Sequence, residues 1–211
     1  MALSNFEKAE RLEKLYFAYG SNLSTTQMQH RCPRSPPVGL AHLTGWTWII
    51  NERGYANIVE DADKSDPNST SARPGVYGLV YRLHPDDEAT LDGYEGVGYA
   101  YEKLMVKIDG ASFLERDPDQ GSSWTAVEAS PENGAKKPTQ PAEEAALFGH
   151  EEEVELLAYV DPYRVTPSAP KEEYIDRMNL GIKEASKWGL HASYVNEVMR
   201  SYIPVRPHGK S

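Results

Sequence analysis

Apolar and aromatic residues gather in five short runs, each closed by turn chemistry. Leu15–Tyr19 stops at Gly20-Ser21-Asn22, and Trp46–Ile50 stops at Asn51. Val76–Leu83 lies between Pro74-Gly75 and His84-Pro85. Tyr101–Ile108 alternates and stops at Asp109-Gly110, and Val154–Val160 stops at Asp161-Pro162. Aromatic and β-branched enrichment makes all five strands. Helical signals are fewer. Ser24–Arg31 carries Ser24 or Thr25 as N-cap and ends before Pro33. Asp86–Tyr94 is a second short candidate. From Pro170, Tyr174, Ile175, Met178, Ile182 and Ala185 share one helical face until Gly189. Val195, Val198, Met199 and Tyr202 repeat the spacing before Pro204. Strands with few intervening helices argue against a doubly wound sheet. They predict the α+β class, with a largely β, barrel-like sheet flanked by helices.

Between Gly110 and Glu153 the periodicity vanishes into Ser, Pro, Gly, Gln and acids. A loop of that length is uncommon inside a compact domain, so residues 110–153 read as a mobile acidic insert joining two strands. Asp61–Arg73 is a shorter polar loop. The 211 residues then form one domain, 1–211, large enough to fold without staples.

Charge sharpens this picture. The net charge is −10, and between Asp109 and Glu155 12 acidic residues stand against 3 basic ones. Without a basic stripe, nucleic-acid binding is not expected. The single cysteine, Cys32, allows no internal disulfide and no cysteine-based zinc site, and no two of the six histidines stand at i, i+4. No metal is expected. The chain shows no apolar run of signal-peptide or bilayer length, so a cytoplasmic protein away from membranes is expected.

Two stretches carry candidate chemistry. In Tyr16-Phe17-Ala18-Tyr19-Gly20-Ser21-Asn22-Leu23, a strand enters a tight turn and then a helix start. Gly20 permits positive φ or close backbone approach. Backbone N–H groups at such a turn form a nest for an oxyanion or carboxylate. In Leu91-Asp92-Gly93-Tyr94-Glu95-Gly96-Val97, Glu95 stands among glycines, with Tyr94, Tyr99 and Tyr101 able to screen it. Such surroundings raise a carboxyl pKa toward the range of a general acid/base. Taken singly, the first is read more simply as an ordinary strand-to-helix turn and the second as a solvated glutamate. Trp46 and Trp48 alternate, so one is expected in the core and the other at a pocket or the surface. Arg53 and Arg73 flank loops where a substrate carboxylate would be bound, though no spacing fixes this.

Together, YFAYGSNL and LDGYEGV resemble the gamma-glutamylcyclotransferase family. Pro167-Ser168 followed by Tyr174, Gly181, Ala185, Gly189-Leu190 and Tyr194 agrees with that family's C-terminal pattern. The resemblance covers about residues 15–108 and 154–203 and leaves the acidic insert unmatched. It implies a small mixed β-barrel with helices around it. It also implies a cofactor-free enzyme that closes a gamma-glutamyl group to 5-oxoproline and releases an amino acid, amine or peptide conjugate. Glu95 then matches the catalytic glutamate. Gly20, Ser21 and Asn22 match the loop holding the glutamyl portion, with Tyr19 opening it and Leu23 closing it. Tyr159 matches a substrate-bonding tyrosine. Tyr101 is either a second such residue or barrel core. The implied partner is a small gamma-glutamyl molecule bound to a monomer or homodimer. Two other readings stand beside this one. One is processing of glutathione adducts in fungal toxin biosynthesis of the gliotoxin type. The other is a binding module of the same fold that performs no turnover.

Overall fold

A computed structural model describes residues 13–62, 75–109, 113–115 and 153–206. The expected insert at 110–153 lies outside the described residues except for 113–115 and Glu153, as does most of the loop at 61–73.

Eight strands form: β1 (Lys14–Ala18), β2 (Pro37–Leu43), β3 (Trp46–Ile50), β4 (Ala56–Glu60), β5 (Val76–Leu83), β6 (Glu102–Asp109), β7 (Phe113–Glu115) and β8 (Glu153–Val160). Four α-helices accompany them: α1 (Thr25–Arg31), α2 (Pro85–Glu95), α3 (Glu172–Ala185) and α4 (Ala192–Glu197). Short 3₁₀ turns lie at Ser21–Leu23, Ser186–Trp188 and Met199–Ser201. All five anticipated strands are present. The additional ones, β2, β4 and β7, are short or carry weak signals. β2 starts at Pro37 and has an irregularity between Pro37 and Gly39, while β4 is interrupted by the buried Asn57.

Six strands form a mixed sheet in the order β6-β8-β1-β5-β2-β7, with β1–β8 parallel and the other pairs antiparallel. β3 and β4 form a separate two-stranded sheet. The α+β expectation stands, but the expected barrel is corrected. Among the described residues the ladder ends at β6 on one side and β7 on the other. β3 and β4 pair with each other across the Asn51–Tyr55 turn and, among the described residues, with no strand of the larger sheet, so they do not bridge those edges.

Burial explains the strand sequences. Tyr16, Phe17 and Ala18 of β1 are all buried, as an interior strand covered on both faces requires. Both tryptophans of β3 are also in the core, which corrects the expected division. Trp48 Nε1 donates to the Tyr19 carbonyl at 2.9 Å, and Trp46 is only 9% exposed. α3 presents Tyr174, Ile175, Met178, Gly181, Ile182 and Ala185 to the core along one face. A Cβ on Gly181 would lie 3.1 Å from Leu23 Cβ and 3.3 Å from Ser24 N, so α3 sits directly on the Ser21–Leu23 turn. Buried Asn57 joins β4 to the segment after β8. Its Nδ2 donates to the carbonyls of Asp161 and Arg164, and its Oδ1 accepts from Asp161 N–H.

α1 is capped twice. Ser24 Oγ accepts from Gln27 N–H at 3.0 Å. From α3, Glu184 accepts from Ser24 Oγ (2.8 Å), from Thr26 N–H (3.0 Å) and from Thr26 Oγ1 (2.6 Å). Partial burial pushes the Glu184 carboxyl up, but the Thr26, Ser24 and Thr25 donors outweigh it and hold the group below its ordinary range. A lowered folded-state pKa stabilises above the unfolded value, and that stabilisation is lost as pH falls through the folded one. Glu184→Ala should therefore lower stability by about 1–2 kcal/mol near pH 7, the scale of a lost cap. Urea denaturation should show the gap closing as the pH is lowered.

Candidate active site

α2 determines where Glu95 stands. Pro85 occupies the first turn, and Asp87 anchors it by accepting from Arg34 N–H and Ser35 Oγ, each at 2.8 Å. Gly96 adopts the left-handed conformation (φ 64°) and its N–H caps the Asp92 and Gly93 carbonyls, so the helix stops at Glu95. The carboxylate thus stands at the negative end of a helix, an unfavourable place for an anion.

The turn after β1 meets it there. Asn22 Nδ2 donates to Glu95 Oε1 and to the Tyr16 hydroxyl, each at 2.8 Å. Asn22 Oδ1 accepts from Gln27 Nε2 at 2.7 Å and Arg31 Nη1 at 3.1 Å. Both amide protons and both carbonyl lone pairs are used, which fixes the amide's orientation. The Asn22 carbonyl accepts from the Tyr81 hydroxyl at 2.8 Å. Ser21 Oγ accepts from Arg177 Nη2 at 2.7 Å and from Gln27 Nε2 at 3.0 Å.

These groups line a cavity of about 140 Å³. Glu95 is the sole carboxylate among the described residues that line it, facing the guanidinium groups of Arg31, Arg53 and Arg177. Burial pushes the Glu95 carboxyl above its ordinary value, opposed by Arg31, the Asn22 hydrogen bond, Arg177 and Arg53. Much of the remaining wall is tyrosine. Burial raises the phenols of Tyr16, Tyr19, Tyr101, Tyr159 and Tyr174, so they remain neutral hydrogen-bonding groups. Among these groups Glu95 is the one carboxyl, held above its ordinary value by burial.

The structure brings most of the anticipated residues together. Tyr19, Gly20, Ser21, Asn22, Glu95, Tyr101 and Tyr159 all line the cavity. Leu23 does not; it is 0% exposed in the core, under α3. Gly20 is needed for closeness rather than positive φ, because a Cβ there would lie 2.9 Å from the Tyr174 hydroxyl. The nest expectation changes in one respect. Ser21 N–H already donates to the Tyr174 hydroxyl at 3.1 Å, so serving an oxyanion requires an exchange of partners. The hydroxyls of Tyr159 and Tyr101 are also engaged, donating to Asp92 Oδ1 at 2.7 Å and to the Ala56 carbonyl at 2.9 Å. Tyr19 donates to the Tyr159 carbonyl. Tyr94 and Tyr99 form the outer rim and are 57% and 76% exposed, so inner tyrosines supply most of the screening of Glu95.

Sequence reasoning missed Arg31, Arg177, Tyr16 and Tyr55 as cavity residues. Arg31 is legible in retrospect: nine residues after Asn22, it lies one helix length from the turn it contacts. Arg177 carries no comparable signal, because only the tertiary placement of α3 brings it to Ser21. Among the described residues no group of three or more His, Cys, Asp or Glu is placed to hold a metal ion. No helix there is long and apolar enough to cross a membrane.

Fold and site together define an α+β protein with a polar cavity built around Glu95. A family model described as "Gamma-glutamyl cyclotransferase, AIG2-like" matches residues 16–140, and the chain belongs to that family. It is similar to the gamma-glutamyl cyclotransferase gliK of Aspergillus fumigatus, with 25% identity over 92% of this chain. It spans 66% of that relative's length. Among solved structures, a gamma-glutamyl cyclotransferase aligns with a TM-score of 0.58 and 19% identity, covering 94% of this chain and 92% of the other. A human protein, loc79017, aligns with a TM-score of 0.58 and 18% identity over the same shares. At these identities the two structures establish the fold.

The Asn22 contact generates a direct prediction. Asn22→Asp replaces an N–H donor to Glu95 with a second carboxylate, which disfavours the charged form of Glu95. NMR titration of the Glu95 side-chain carboxyl should show its pKa displaced upward in the variant.

Proposed function

We propose that the chain is a gamma-glutamyl cyclotransferase that needs no cofactor. The observation that carries this reading is Glu95, a half-buried carboxylate held by Asn22 in a cavity with three arginines. The substrate supplies its own nucleophile. The α-ammonium of a gamma-glutamyl group gives a proton to Glu95, and the freed amine attacks the side-chain carbonyl. The C–N bond of a five-membered lactam forms. In the tetrahedral intermediate Glu95 gives the first proton to the departing nitrogen and takes the second proton from the attacking nitrogen. The original amide bond breaks, and that second proton passes to the released amine, leaving 5-oxoproline, an ammonium product and an ionised Glu95. Holding amine and carbonyl in an attack-ready pose contributes up to about 7–11 kcal/mol in the best intramolecular cases. Gly20, Ser21 and Asn22 hold the glutamyl portion, while Tyr19, Tyr101 and Tyr159 shape its walls. Family membership supports this chemistry. A chain with one cysteine, buried and with its thiol raised to about 12, suits the reducing cytoplasm.

A bulky glutathione adduct is the second reading for the substrate. The exposed Tyr94 and Tyr99 at the cavity rim favour it, since they offer aromatic surface beyond the glutamyl site.

Glu95→Gln should reduce 5-oxoproline release by at least about 100-fold, the lower end of general acid–base contributions. Full turnover by the variant, or binding of gamma-glutamyl compounds with no product from the wild type, would remove the reading. The fold should survive the substitution. A raised folded-state pKa makes Glu95 cost stability as pH rises from the unfolded value through the folded one. The variant should therefore melt no lower than wild type near pH 7.

The same shift sets the pH profile. Glu95 must be ionised to accept the ammonium proton. Wild-type kcat/KM should accordingly rise with pH through a limb above the ordinary glutamate value of 4.5.

A further inference from the structure

The three arginines of the cavity are not equivalent. Arg31 and Arg177 are committed to the Gly20–Asn22 turn: one donates to Asn22 Oδ1, the other to Ser21 Oγ. Arg53 belongs to a different wall. It lies in the turn between β3 and β4 and donates through Nη1 to the Ala100 carbonyl at 3.1 Å. Its guanidinium stands 5.2 Å from the Tyr101 ring centroid and 5.6 Å from that of Tyr55. Two aromatic rings separate it from Arg177. Tyr55 meets Tyr174 edge-on at 5.0 Å, and Arg177 lies over Tyr174 at 5.3 Å. The cavity therefore has two cationic stations, one at the turn and one beside Ala100–Tyr101.

Among the described residues, no carboxylate comes within ion-pair distance of Arg53, whereas Arg177 has Glu173 at 3.6 Å. Arg53 is half-buried, and among the described residues its guanidinium makes one hydrogen bond, through Nη1. The aromatic rings on either side restrict the plane of the guanidinium. A planar fork held in this way suits a carboxylate.

We infer that Arg53 is a specificity-determining residue that binds a carboxylate on the leaving portion of the substrate. The inference rests on the cyclotransferase reading and deepens it. The glutamyl end, with its own α-carboxylate, occupies the station at the turn, near Glu95, Arg31 and Arg177. The departing amine lies toward Ala100–Tyr101, where Arg53 selects an amino acid or peptide with a free carboxylate over a simple amine. Lys171, 4.8 Å from the Tyr55 ring centroid, adds positive charge to the same side.

The test compares gamma-glutamyl-alanine with gamma-glutamyl-alaninamide, whose leaving groups end in a carboxylate and a neutral amide respectively. Release of 5-oxoproline is measured for the full chain as wild type, Arg53→Met and Arg53→Lys. The acid-to-amide ratio of kcat/KM should fall about 10- to 100-fold in Arg53→Met, the range a charge-assisted hydrogen bond carries. Arg53→Lys, which keeps the charge, should recover part of it. Comparing ratios between proteins cancels the intrinsic reactivity of the two amides. A ratio unchanged by Arg53→Met would overturn the inference and leave the cyclotransferase reading intact. No 5-oxoproline from either compound would reject both. If Arg53→Met fails to fold, Arg53→Gln takes its place, and an acid-to-amide ratio unchanged from wild type in that variant overturns the assignment.

Discussion

The side chain of Asn22 is the joint on which the cavity depends. One buried amide touches a strand tyrosine, the end of α2 and two side chains of α1, and it uses all of its hydrogen-bonding capacity. A buried amide left half-satisfied would cost about 1–3 kcal/mol for each orphaned group. The four contacts therefore stand or fall together. Glutamine would carry the amide one carbon too far, and aspartate would present only acceptors where Glu95 and Tyr16 need donors. The same residue thus shapes the turn and sets the electrostatic surroundings of the carboxylate it holds.

The site works against the preferences of its parts. A glutamate at a helix C-terminus, inside a wall of neutral phenols, is poorly placed to be charged. The three arginines moderate that penalty without removing it, and none pairs with Glu95 within ion-pair distance among the described residues. A direct ion pair would lock the carboxylate in its ionised form. Guanidinium groups at one remove leave it able to take up and release a proton. The helix itself is held at both ends: in the first turn Asp87 binds Arg34 and Ser35, and in the last turn the Asp92–Lys103 ion pair braces it at 2.7 Å.

Much of this was legible in the sequence because it rests on local patterns. Turn residues closed each aromatic run, and Ser24 and Gly189, read as a helix start and a helix end, act as caps in the structure. Gly20, Ser21, Asn22 and Glu95 were legible through two short motifs and meet in space. What was not legible depends on register and tertiary placement. Pairing along β3 rather than around a ring decides whether the sheet closes, and no alternation pattern encodes that choice. Leu23 belongs to the same short turn as Asn22, yet the direction of a 3₁₀ turn sends one side chain to the cavity and the other beneath α3. Arg177 and Tyr55 are ordinary residues on exposed-looking elements until α3 and the β3–β4 turn face each other across the cavity.

The placement of β1 has a consequence for how the molecule is made. β1 lies inside the sheet, paired on one side with β5 and on the other, in parallel, with β8 through Tyr16 and Leu157. During synthesis the first strand therefore waits for one translated far later, with one edge open in the interval. Contacts of such long sequence separation slow folding and lengthen the exposure of an unpaired strand. Tyr159 and Arg177 arrive from the same late segment. A nascent chain thus carries Glu95 and the Gly20–Asn22 turn well before it can complete a cavity, and completion of the sheet and of the cavity arrive in the same step.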